Sequence, residues 1–174
     1  MTVGFAMAAL IALYWAASFY VKKAHSYLDA SEAAWDRLHR AAEEVVSDPA
    51  MPDKAAAFAA ATVMCAGCGC LTTQLLIDKM LLKFRPKQPR RKGGRFGLKD
   101  QQAPAFNRVV VNAVYYDSLR APIRGFLLRR LAFPWLRAAA EGAAPVRKTS
   151  VSMMAKASAT AIRYRKEGRE LLPA

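Results

Sequence analysis

The stretch from Ala55 to Ile77 constrains this chain most: 23 residues without a charge, holding all three cysteines. Thr62, Thr72, Thr73 and Gln74 scatter round its helical wheel and leave no polar face. A helix that is apolar all round is buried all round, in protein or in lipid. A two-helix hairpin in water would cover one side of it, which favours a second transmembrane helix. Its Ala, Gly and Thr make it only mildly hydrophobic, which keeps a buried helix of a water-soluble bundle as the alternative.

The other uncharged stretch is Val3 to Val21, followed at once by Lys22-Lys23. Nineteen helical residues span about 28 Å, close to the thickness of a bilayer core. Tyr14, Trp15, Phe19 and Tyr20 gather toward the lysine end, where an aromatic belt sits. A cleaved signal peptide fits less well, because its basic start is missing and the apolar run is too long. The expectation is an uncleaved anchor over residues 1–22.

Residues 23–52 read as an amphipathic helix and turn. Tyr27, Ala30, Ala34, Leu38, Ala41 and Val45 recur every three or four positions, with acids and arginines opposite. Few basic residues line the polar face, so docking on protein is favoured over anionic lipid. Ser47-Asp48-Pro49 and Pro52 end the helix, and residues 53–84 form the second apolar helix.

Small residues recur every four positions in both apolar stretches. Gly4, Ala8, Ala12 and Ala16 form one stripe; Ala57, Ala61, Cys65, Gly69 and Thr73 form the other. Such stripes let helix backbones approach closely in lipid.

Charge is unevenly placed. Residues 22–54 carry five Lys/Arg against seven Asp/Glu, a net of −2, whereas residues 78–174 carry 22 against six, a net of +16. A half this basic faces an anionic partner. Residues 85–103 form the heart of a polybasic linker whose cations are Lys83, Arg85, Lys87, Arg90, Arg91, Lys92, Arg95 and Lys99. Near an anionic leaflet each is worth about 1 kcal/mol. The same cations would also bind phosphates of nucleic acid, but Phe84 and Phe96 are too few for a stacking platform, so nucleic acid is disfavoured.

Residues 104–174 read as a basic, mostly helical tail. Periodicity leaves the RVVVNAVYY run open between a buried helix and a strand. The arginines of Arg120 to Arg137 do not segregate to one face, although long arginine side chains can still reach out from an apolar surface. Ser152 to Leu172 reads as a last basic helix, with a stripe of Met153, Met154, Ala157, Ala161 and Tyr164.

Cys65, Cys68 and Cys70 form C-x-x-C-x-C. Three clustered thiols are not a disulfide framework, which favours a reducing compartment. On one continuous helix Cys70 points about 140° from Cys65, too splayed for a zinc or iron–sulfur site needing four convergent ligands. The expected role is packing, with metal binding or thiol redox chemistry as the alternative. His25 and His39 read as solvated or packing residues. No residue group specifies a reaction, and no cofactor is implied.

The sequence thus predicts an all-α membrane protein of bacterial inner-membrane type. It has a two-transmembrane-helix hairpin, a long amphipathic connecting helix and a basic cytoplasmic tail. Its expected role is non-enzymatic: an accessory or structural subunit docking on anionic lipid and on other subunits of a membrane complex. The positive-inside rule puts the tail in the cytoplasm whether one helix crosses or two.

Overall fold

In the computed structural model the N-terminal uncharged run and the amphipathic segment after it are one helix, α1 (Thr2–Val46). Nothing breaks it between Val21 and Tyr27, because that segment holds neither Gly nor Pro. The structure describes residues 2–81, 96–144 and 148–170. All the regular elements among them are helical. After α1 come α2 (Asp53–Cys65) and α3 (Cys70–Leu81). Next are α4 (Ala103–Arg120), α5 (Pro122–Leu127) and a π-helical turn, Leu128–Ala132. α6 (Leu136–Ala140) and α7 (Lys148–Glu170) finish the chain.

α4 is the centre of the body. Val109, Val110, Val111, Ala113, Val114, Tyr115 and Leu119 are all buried, so the RVVVNAVYY run is a helix. Its apolar residues lie all round because neighbours cover it all round: α1, α2, α3 and α7 each pack against it. Pro104 fits the first turn, where its missing N–H costs nothing. Pro122 follows the helix end at Ala121 and opens α5.

α1 and α4 run antiparallel. Glu44 pairs with Arg108 at 2.8 Å, and Trp35 stacks on Tyr116 with ring centroids 4.9 Å apart. Tyr27 lies under the Arg129 guanidinium, 5.2 Å from its centre. The end of α4 and the π-helical turn therefore sit where α1 leaves the body. At the opposite end, Ser47 bonds back to the Glu43 carbonyl, and the Gln102 side chain bridges the Lys99 N–H and the Ala50 carbonyl. Phe58, Phe96 and Phe106 cluster in the same lower half, with centroids 4.8 to 5.7 Å apart.

The amphipathic face of α1 is buried as its periodicity predicts: Ala34, Leu38, Ala41, Ala42 and Val45 are core residues, and Tyr27 and Ala30 are half-buried. Its partner is the chain's own α4 and α2 rather than another subunit.

The expected single helix over 53–84 is not formed. It breaks at residues 66–69, and α2 and α3 meet at 104°. Part of the cause is local: Gly67 and Gly69 take φ of +91° and +75°, a region costly for residues with a Cβ. The packed faces are Ala55, Ala59, Thr62 and Cys65 on α2, and Leu71, Thr72 and Leu75 on α3. This is not the expected 57–61–65–69–73 stripe: Ala57 is exposed, and Ala61 and Thr73 are half-buried. Among the residues with described side chains, no single helix is long and apolar enough to cross a membrane. α2 and α3 reach that length and hydropathy only as a bent pair.

Candidate functional site

The cysteine turn is built around a residue that the sequence pattern did not single out. Asp117, fully buried on α4, reaches into the break between α2 and α3. Its Oδ1 accepts the backbone N–H of Gly67 at 2.9 Å and of Gly69 at 2.7 Å. Its Oδ2 accepts the Thr72 N–H at 2.8 Å and the Thr72 hydroxyl at 2.9 Å. A helix start leaves N–H groups without intrahelical partners, and a carboxylate there satisfies them and complements the helix dipole. Asp117 is thus the cap of α3, supplied from 45 residues away along the chain. The clue was available: Asp117 is the only acid between Asp100 and Glu141.

Tyr116 closes over the turn. A Cβ on Gly67 would lie 3.0 Å from its ring, so the glycine answers both to φ and to space. The Cys65 thiol is buried as a packing residue, but Cys68 and Cys70 are disulfide-bonded to each other rather than free, contrary to the expectation of three reduced thiols. This bond spans a sequence separation of two, so it closes almost no loop and removes little chain entropy. Among the described residues no group of three or more His, Cys, Asp or Glu is arranged to hold a metal ion. His39 stacks edge-on against Trp35 with centroids 4.1 Å apart, and His25 is exposed on α1.

The expected packing residues divide into two sets. Tyr27, Ala34, Leu38, Ala41, Val45, Cys65 and Gly69 are buried or half-buried in the body. Gly4, Ala8, Ala12 and Ala16 lie on the protruding half of α1 and are exposed. So are its large side chains, on every side of the helix: Leu10, Leu13, Tyr14, Trp15 (72%), Phe19 and Tyr20.

Of the expected lipid-binding cations, Lys83, Arg85, Lys87, Arg90, Arg91, Lys92 and Arg95 lie outside the described residues. Lys99 is exposed, but near Gln102, at the end of the body remote from the protruding half of α1. An open groove lies between α1 and α2, lined by His39, Ala42, Val46, Ala60 and Val63.

No protein-family model, curated protein or solved structure matches this chain.

Burial pushes the Tyr115 phenol above its ordinary 10.0, against the opposing pull of nearby Arg137. It is a packed tyrosine of α4.

Proposed function

We propose that this chain is a single-anchor membrane protein of bacterial inner-membrane type, with a non-enzymatic accessory or structural role in a larger membrane complex. The N-terminal half of α1 crosses the bilayer, and the helical body stands in the cytoplasm against the inner leaflet. One observation carries the reading: along the α1 run ending at Val21 every described side chain except half-buried Ser18 is exposed, with large apolar groups on all sides of the helix. An exposed apolar surface of this extent marks a membrane or partner contact. Val3 and Phe5, which belong to the uncharged run, complete a bilayer-sized length in sequence. Lys22-Lys23 and the surplus of cations beyond it favour an inside body and an outside N-terminus.

This reading takes the one-helix topology over the hairpin, because Ala55, Ala59, Thr62, Leu71, Thr72 and Leu75 are already covered by protein. The stripe Gly4, Ala8, Ala12 and Ala16 remains uncovered and suits contact with a partner's membrane helix.

The test is flotation of the full chain with membranes, followed by alkaline carbonate extraction. The chain should float and resist extraction. The L10R/L13R double variant should be released, since each arginine at mid-bilayer costs about 3 kcal/mol. A wild-type chain stripped off by carbonate would overturn the anchor. Solubilisation in mild detergent then tests the accessory role: a chain that runs alone as a monomer would sink it.

A further inference from the structure

We infer that α5 and the π-helical turn after it form a second membrane contact, an apolar ridge that seats the body on an anionic lipid leaflet. The inference rests on the anchored reading above and adds to it how the body is oriented.

The ridge has two faces. Gly125 and Leu128 are buried toward the body. A Cβ on Gly125 would collide with the Ser118 carbonyl, so α5 lies hard against the end of α4. The Arg129 guanidinium bonds to that same carbonyl and, at 3.0 Å, to the Ser118 hydroxyl. The opposite face holds Ile123, Phe126, Leu127 and Leu131, at helical positions i, i+3, i+4 and i+8 and all exposed, Ile123 to 78% and Leu131 to 76%.

Charge and position select the partner. Arg120, Arg124 and Arg130 are exposed beside the ridge, and no acid occurs between Asp117 and Glu141. Asp117 is buried and spent on the cysteine turn. An apolar strip edged by arginines suits the boundary between head groups and acyl chains, with the guanidinium groups reaching phosphate and the apolar side chains lying below. The ridge also sits at the right height. The turn touches Tyr27 through Arg129, and Tyr27 is six residues past Val21 along α1, about 9 Å at helical rise. That is the scale of the head-group layer beside a bilayer core. Arg124 bonds Thr73 at 2.6 Å, which ties α3 to the same edge. Ile77 and Met80 follow Thr73 at helical spacing on α3 and are exposed as well.

The experiment uses the full chain reconstituted in vesicles, with the photoreactive amino acid p-benzoylphenylalanine replacing Ile123 in one variant and Leu131 in another. Ala60, on α2, is the control position. In vesicles containing about a third phosphatidylglycerol, both ridge positions should give phospholipid adducts by mass, at least tenfold above Ala60, because the head-group and acyl boundary lies within reach only at the ridge. In purely phosphatidylcholine vesicles, or with R120Q/R124Q/R130Q added, the adduct yield should fall at least threefold, as the attraction of arginine to an anionic surface is removed. A chain that floats with vesicles but gives no lipid adduct at Ile123 or Leu131 overturns the inference and leaves the anchor standing. Equal adduct yields in the two lipids overturn the anionic preference. Adducts to a second protein in native membranes, in place of lipid, make the ridge a subunit interface and also overturn it. A chain that does not float removes the anchor and this inference together.

Discussion

Val3–Val21 and Ala55–Ile77 are both uncharged, both rich in alanine and both about the length of a membrane helix, yet they meet different ends. The first stays one helix, continuous with the amphipathic segment after it, and stands clear of the body. The second is cut at Gly67 and Gly69 and folded into the core, with Asp117 holding the cut ends. Hydrophobic content does not separate them. What separates them is a helix-breaking turn and one acid elsewhere in the chain whose hydrogen bonds make that turn stable.

The largest test of the difference is Asp117→Ala. It strands the N–H groups of Gly67, Gly69 and Thr72 in the interior, and each buried unsatisfied donor costs about 1–3 kcal/mol. A loss on the order of 4 kcal/mol is expected in urea unfolding of the solubilised chain, with Asp117→Asn about half as damaging. A loss under about 1 kcal/mol would mean that the turn holds without its clasp.

A paired substitution sharpens the contrast between the stretches. Leu75→Ala empties a fully buried position on α3 and should cost about 2–5 kcal/mol. Leu10→Ala, on the exposed half of α1, should change unfolding of the body by less than about 0.5 kcal/mol. Equal losses would show that the N-terminal half of α1 is packed on the body after all.

The glycines come next. Gly69→Ala should cost about 1–2 kcal/mol for a Cβ in the left-handed region. Gly67→Ala should cost more, because its Cβ also meets the Tyr116 ring. Thermal unfolding of the two variants gives the order.

The smallest effect is alkaline. The folded Tyr115 phenol titrates above its unfolded value of 10.0, so the folded state holds its proton longer. That contribution to stability is whole below pH 10 and is lost as pH rises through the raised value. Tyr115→Phe should flatten this part of the pH profile and leave neutral pH nearly unchanged. An unaltered alkaline slope would assign it to other groups.

Several elements were legible residue by residue. The 3.6-residue rhythm of Tyr27, Ala34, Leu38, Ala41 and Val45 marked a face, and that face is buried. Ser47-Asp48-Pro49 and Pro52 marked the end of α1. The RVVVNAVYY run gave no rhythm because α4 is covered on all sides, and periodicity carries no information where every side is apolar. The cysteine stripe was misread for a different reason. A helical wheel assumes an unbroken helix, and the break at 66–69 cancels the register between Ala61 and Thr73. The ridge of Ile123, Phe126, Leu127 and Leu131 looked mixed because Arg120, Arg124 and Arg130 fall on the same side of the helical wheel.

The sequence alone determined the helical class and the amphipathic face of α1, because both follow from local spacing and from the punctuation of Gly and Pro. It also determined the lopsided charge. Only the tertiary structure decided which of two similar apolar stretches is enclosed by protein and which is left bare. That choice depends on Asp117 meeting Gly67, Gly69 and Thr72 across 45 to 50 residues of chain, a contact that no local pattern encodes.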